Sequence, residues 1–248
     1  MSRFEAIYAL WLREIKVFTR ERSRIVTSIF TPILWIFVFG GGLGSAVNIG
    51  NINYQKFIYP GILAMSVLFS SVFFGVYIVW DRKIDILKEV LVAPISRTSI
   101  FVGKVLGGCT DSMIQALVML CIGFIVGVYF TLLSFILAIL ILFLLSLSLV
   151  SAGLIIGSLM ESPEGFNMII SFLVFPLFLF SGALFPLDNL PLWLSIITYV
   201  DPVTYGVDSL RFVTIGISKF PLYIDLSILI VFATIMFTIG TISFERMK

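Results

Sequence analysis

"SMIQALVMLCIGFIVGVYFTLLSFILAILILFLLSLSLVSAGLIIGSLM", residues 112–160, contains no Asp, Glu, Lys or Arg over 49 consecutive positions. A bilayer core about 30 Å thick is crossed by about 20 apolar residues of helix. The run is about twice that length, so it predicts two spanning helices, divided near Tyr129–Ser134. A membrane barrel would show period-2 alternation with polar lumen residues, whereas this run is apolar on all sides. Helices then satisfy the backbone in lipid.

Outward from this run the same rule finds four more spans: about Ile25–Val47, Tyr59–Trp80, Phe166–Phe185 and Ile224–Phe244. With 60% hydrophobic and 12% charged residues, the chain is expected to be an all-α polytopic membrane protein with six transmembrane helices, folded as one domain over 1–248. Thirteen Lys and Arg fall on one side of these spans: six before span one, five between spans two and three (Arg82, Lys83, Lys88, Arg97, Lys104) and two in the tail. Only Lys56, Arg211 and Lys219 fall on the other. The positive-inside rule then places both termini in the cytoplasm of a cell (cytoplasmic or inner) membrane. The first 24 residues are too long and charged for the basic region of a signal peptide, so span one is expected to be retained.

Several chemistries are excluded by the residues available. The chain has no His, and its two cysteines, Cys109 and Cys121, stand about 18 Å apart along one predicted helix. Neither a zinc site nor a Ser-His or Cys-His catalytic set is expected, and no metal or cofactor. The one Gly-Lys pair, Gly103-Lys104, is followed by Val105 and lacks the upstream Gly of a phosphate-cradling loop. The chain is thus expected not to be an enzyme, and any ATP hydrolysis must come from another polypeptide.

Two segments outside the lipid read as amphipathic. Phe4, Ile7, Tyr8, Trp11, Ile15 and Phe18 share one helical face opposite Glu5, Arg13, Lys16 and Arg20, which makes residues 1–24 an interface helix, an anchor on anionic lipid, or both. In the 81–99 loop, Ile84, Ile86, Leu87, Val90 and Leu91 gather on one arc, with Asp85, Lys88 and Glu89 opposite, up to Pro94. This is either a solvated loop or a short rigid helix on which a soluble partner could push. On the other side, 186–220 is interrupted by Pro186, Pro191 and Pro202 and charged by Asp188, Asp201 and Asp208. It predicts an extracellular re-entrant hairpin in preference to a seventh span, with a plain surface loop as the alternative.

Inside the spans, Asp111 is the ionisable residue to explain, since a carboxylate in lipid must be paired or wet. Lys104, Gly108, Asp111 and Gln115 follow one side of span three, which suits either a water-filled vestibule or an interhelical hydrogen bond. Four Gly-x-x-x-Gly pairs (40/44, 103/107, 123/127, 153/157) permit close helix packing.

Four strings, "FIYPGILAMSVLFSSVFFGVYIVWDR" (57–82), "LVAPISRTSIFVGKVLGG" (91–108), "FPLFLFSGALFPLDNLPLWL" (175–194) and "DPVTYGVDSLR" (201–211), together resemble the membrane subunit of type-2 ABC exporters, the group with daunorubicin-resistance and nodulation lipo-oligosaccharide permeases. The resemblance implies a homodimer of permeases with two copies of a separate ABC ATPase, which carries the ATP and Mg. It implies that the 81–99 segment is a coupling helix seated in the ATPase, with Asp85, Leu87, Lys88, Glu89, Pro94 and Arg97 as contact residues. It also implies that spans one and five border the route, so that Trp35, Phe172, Phe175 and Pro176 join Asp111 and Gln115 as route candidates. The expected cargo is a hydrophobic or amphipathic substrate: a drug, a lipid, or a lipo-oligosaccharide or polysaccharide. Nucleic acid is not an expected partner. The competing reading is an ion- or proton-coupled secondary transporter, which would be expected to carry several titratable groups near the midplane, where Asp111 is the one clear candidate. An intramembrane enzyme is the third.

Overall fold

The computed structural model describes residues 3–44, 48–49, 52–188 and 190–247. It is helical almost throughout: α1 (Arg3–Arg20), α2 (Arg22–Trp35), a π-helical turn (Ile36–Gly41), α3 (Gly42–Gly44), α4 (Tyr54–Phe73), α5 (Val76–Lys83), α6 (Ile86–Val92), α7 (Arg97–Val126), α8 (Leu132–Leu159), α9 (Pro163–Phe180), α10 (Leu192–Val200), α11 (Pro202–Ile215) and α12 (Leu222–Glu245). Two-residue strands, β1 (Asn48–Ile49) and β2 (Ile52–Asn53), pair antiparallel.

Among the described residues, five stretches are long and apolar enough to cross a membrane: Tyr54–Lys83, Arg97–Val126, Leu132–Leu159, Pro163–Phe180 and Leu222–Glu245. The bent pair Arg3–Arg20 and Ile25–Gly41, which meet at 69°, makes a sixth candidate when counted as one span. The expected end of span one at Val47, and the loop residue Asn51, lie outside the described residues. Pro32 inside α2 removes a backbone donor and the Gly40–Gly42 run follows, which accounts for the ladder slipping into a π turn there.

The 112–160 run divides as its length requires. α7 ends at Gly127, whose φ of +80° suits a residue without a Cβ, and the Thr131 side chain caps α8 by accepting from the Ser134 N–H. One boundary needs correction: α7 begins at Arg97, so Arg97 and Lys104 belong to a helix and not to the loop in which they were counted. The loop-capping Ser96 accepts from the Ser99 N–H, and an apolar face carries the helix onward through Ile100, Phe101 and Val105, all buried. α9 stops at Phe180, five residues before the expected end of span five.

Tyr54–Lys83 is the central helix: its apolar window is 78% buried, against 17% for Leu222–Glu245. It tightens at Phe74–Gly75, where the Gly75 N–H turns to the Val72 carbonyl. There the α4–α5 stretch crosses α8 backbone to backbone. A Cβ on Gly153 would lie 2.4 Å from the Val72 oxygen, so this Gly-x-x-x-Gly pair is a packing site, as is 103/107, where Cβ atoms would meet Leu10 and Glu14 of α1. Gly153→Leu is expected to cost at least the roughly 1–3 kcal/mol of an overpacked core. Size-exclusion profiles after a heating series in detergent check this, with Gly41→Leu, which would meet open space, as the control.

Residues 186–220 form a helix pair, α10 and α11, with Asp201 between them. α11 would extend about 21 Å, too short for a bilayer core, and it is buried against α4, α8 and α12. α10 leaves Leu192, Trp193 and Val200 exposed.

Candidate functional site

Four charged side chains meet where α1, α5 and α7 come together. Lys104 Nζ donates to Asp81 Oδ2 at 2.6 Å and to Glu14 Oε1 at 3.0 Å. Arg13 forks onto both Asp81 oxygens, at 2.6 and 3.1 Å, and reaches Glu14 Oε1 at 2.8 Å. Lys104 is 1% exposed and Glu14 4%. The Asp81 hydrogen bond holds the Arg13 guanidinium above its usual pKa, although burial opposes it. Gly103 and Gly107 let α1 approach closely enough for the cluster to close, and Trp11 Nε1 adds a 2.9 Å bond to Thr110 Oγ1. Charges this buried persist because each is paired and hydrogen-bonded. Sequence reasoning missed the cluster: it read Lys104 as a loop charge and then as part of a polar stripe. The available signal was a lone Lys flanked by glycines within an apolar helical repeat.

This cluster braces the root of the 81–99 segment, because Asp81 opens that segment and Lys104 follows it. Arg82 reinforces the root by donating to the Ser158 and Met160 carbonyls at 2.7 Å, satisfying orphan acceptors at the end of α8. Between the two braces stands α6. Asp85 leads into it at φ +60°, a left-handed conformation that Asp tolerates better than most residues, and Lys88 closes on Asp85 at 2.6 Å. Asp85, Lys88, Glu89 and Pro94 are exposed and Arg97 is half-buried. Leu87 differs from these contact candidates: it is buried in the hydrophobic core and supports α6 from beneath. Ile84 does not join the apolar arc, because it precedes the left-handed residue and is exposed; the Leu91 side chain lies outside the described positions.

The route candidates separate into two places on either side of α9. Trp35, Gln115 and Phe175 line a cavity of ≈ 360 Å³ with Thr31, Ser70 and Phe69, between α2, α4, α7 and α9. Trp35 stacks on Phe39 at 4.7 Å and meets Phe178 edge-on at 5.5 Å. Phe172 and Pro176, one turn apart, face a second groove between α9, α8 and α12. Asp111 is 2% exposed and accepts from Gln115 Nε2 at 2.7 Å, a contact within α7. It thus stands beside the first cavity through Gln115. Asp111→Leu is expected to leave insertion intact and to lower either transport or thermal stability, since the Gln115 amide loses its acceptor; the sign in a transport assay against a melting assay separates route from packing.

On the α10–α11 side, Arg211 is 3% exposed, donates to the Gly182 carbonyl at 2.7 Å and lies 4.2 Å from the Phe57 ring centroid, so it is a packing residue within the 186–220 segment. Asp208 accepts from the Lys219 and Phe220 N–H groups and so fixes the turn that enters α12. Asp201 Oδ1 accepts from the Val203 N–H at 2.9 Å and so caps α11. Asp225, inside the predicted span six, is fully buried, a second intramembrane carboxyl beside Asp111 that the sequence reading passed over.

A bundle of five or six spanning helices with a braced polar loop and a cavity between helices is the architecture of a multi-pass membrane transporter. The chain belongs to the ABC-2 type transporter family, whose pattern it matches over residues 5–215. It is 29% identical to the ycf38 transport permease of Cyanophora paradoxa over 86% of this chain and 76% of that one. It is 27% identical to the inner membrane transport permease YadH of Escherichia coli K12, over 94% and 92%. It is 22% identical to nodulation protein J of Rhizobium leguminosarum bv. viciae, over 96% and 93%.

Proposed function

We propose that this chain is the permease subunit of an ATP-driven exporter in a cell membrane, energised by a separate ABC ATPase present in two copies and acting with a second copy of itself. The observation that carries this reading is α6: a short helix with an exposed charged face, held between two spanning helices by the Lys104–Asp81–Glu14–Arg13 cluster. A solvated loop has no need of so rigid a root. ATP and Mg reside on the partner; ATP binding there moves α6 and, through the cluster, α1, α5 and α7. Residues 1–24 act as interface helix, 81–99 as coupling loop and 186–220 as re-entrant segment within one domain, with both termini cytoplasmic.

The Trp35–Gln115–Phe175 cavity combines an aromatic wall with hydroxyl and amide groups, which suits a hydrophobic or amphipathic cargo. The relatives' names support transport without giving its substrate here. The competing reading is ion-coupled transport, for which Asp111 is the carboxyl within a span, Asp225 standing buried at a span's end in the first turn of α12. ATP-dependent uptake into inverted vesicles with the ion gradients collapsed supports the exporter; uptake that needs a gradient and no ATP supports the alternative. Topology is tested by a cysteine at Ser96, which is expected to resist impermeant thiol reagents in intact cells; the companion positions Ser2 and Asn51 lie outside the described residues.

A further inference from the structure

At the end of the bundle that carries α6, a groove of ≈ 580 Å³ opens between α8 and α12. Ile155 and Leu159 of α8 and Ile239 and Ile242 of α12 form its apolar wall, of which Leu159, Ile239 and Ile242 are exposed. Ile155 and Ile239 also line the groove beside α9, so the apolar wall continues along the α8–α12 seam toward the middle of the bundle. The outer end of the groove is different in kind. Arg82 and Arg246 both line it, and no Asp or Glu does. Arg246 is exposed and Arg82 half-buried, and neither has an ion-pair partner among the described residues. Arg82 gives one N–H from each terminal nitrogen to the Met160 and Ser158 carbonyls, which leaves its charge unneutralised and further N–H groups to donate.

We propose that this groove binds an anionic phospholipid of the bilayer, its phosphate on Arg246 and Arg82 and an acyl chain laid along the α8–α12 seam. Guanidinium groups make charge-assisted, forked hydrogen bonds to phosphate oxygens. The depths agree with that assignment: Arg246 follows the last turn of α12, at the level of a headgroup, and Ile239 lies two turns further in, at the level of the chains. A zwitterionic headgroup would carry its own cation to a place that already holds two cations and no carboxylate, so the groove selects net negative charge. The bilayer supplies such lipids at solvent concentration on a face whose apolar wall is exposed. Because Arg82 also ties α5 to the end of α8, the bound lipid joins α5, α8 and α12 at the root of the α6 segment. The site is separate from the Trp35 cavity and does not depend on how transport is energised.

The test is native mass spectrometry of the full chain, delipidated and titrated with phosphatidylglycerol or phosphatidylcholine of identical acyl chains. Wild type is expected to bind phosphatidylglycerol about tenfold more tightly. Arg246→Gln keeps a polar side chain at the exposed end of α12 and is expected to lose most of that preference while retaining basal lipid binding. Lys16→Gln, which removes an exposed charge on α1, is expected to keep the preference. Ile242→Trp, which fills the groove wall, is expected to weaken both lipids. Equal binding of the two lipids by wild type overturns the proposal whether or not any variant folds. So does an unchanged preference in folded Arg246→Gln, an equal loss in Lys16→Gln, or unaltered binding in folded Ile242→Trp. A photoreactive phenylalanine analogue at Leu159, illuminated in membranes that contain the ABC ATPase, is expected to label lipid; adducts to a second copy or to the ATPase would show that protein covers the groove and would also overturn it.

Discussion

Lys104→Met is expected to destabilise the helical bundle by about 3–5 kcal/mol, because it strips the cation from Asp81 and Glu14 and leaves two buried carboxylates with Arg13 alone. Met keeps most of the stem volume, so the loss reports charge and not a cavity. A fluorescence-detected melting series in detergent checks it. Converting the three buried members of the cluster (Glu14→Gln, Asp81→Asn, Lys104→Met) is expected to recover much of the loss, since the one charge that remains, on Arg13, is partly exposed and reaches solvent; single and triple variants with the same melting point as wild type would remove the brace from the account. Arg13 is half exposed to solvent and holds Asp81 from the rim, so Arg13→Gln is expected to cost less than Lys104→Met.

Reversing the outer face of α6 is expected to act in the opposite way, with little effect on stability and a large one on energy coupling. Lys88 and Asp85 are 75% and 70% exposed in their side chains, so their ion pair contributes about 0–1 kcal/mol to folding. Lys88→Glu, alone or with Glu89→Lys, is therefore expected to insert and melt like wild type. Association with the ATPase is expected to weaken roughly tenfold or more, and substrate-stimulated ATP turnover in reconstituted vesicles is expected to fall with it, because the segment transmits force only through contacts that differ between states. The double swap could preserve a local pair, which is why the single reversal accompanies it.

The spans were legible in the sequence because lipid leaves few choices. A 49-residue apolar run must turn once, and the turn falls at Gly127–Thr131, the nearest place with a left-handed glycine and a capping hydroxyl. The break at Pro191–Pro202 and the shortness of α11 were equally visible, since proline and length act locally. Charge at a helix end carries no such signature. Lys104 lies where a loop was counted and Arg211 within the expected re-entrant hairpin, and a basic residue in either place looks the same whether it reaches water or turns inward to Asp81 or Gly182; only the tertiary partner decides.

The site was legible in part for the same reason. Asp111 and Gln115 stand four residues apart on one helix, so their contact follows from helical spacing. Trp35, Phe172, Phe175 and Pro176 could be assigned to spans one and five but not to a side of α9: Phe175 faces the Trp35 cavity while Phe172 and Pro176 face the groove between α8, α9 and α12. Leu87 was read as part of the apolar arc and is buried in the core, its place among the contact residues coming from the resemblance alone, while Asp85, in its left-handed conformation, shifts the phase so that Ile84 leaves the arc. Asp225 escaped notice because it sits in the first turn of α12, where a carboxylate breaks no span rule.

The central claim, that α6 is the surface on which a separate ATPase acts, is tested most directly by photo-crosslinking from position 88. A photoreactive phenylalanine analogue replaces Lys88 in the full chain, expressed with the ABC ATPase of its own host, and a second protein carries it at Tyr223, an exposed residue at the opposite end of the molecule's last helix. Illumination in membranes followed by mass spectrometry reads the adducts. The account predicts a crosslink to the ATPase from position 88, changed in yield by ATP, and none from position 223. Adducts from position 88 to lipid alone, or equal ATPase crosslinking from both positions, would contradict it.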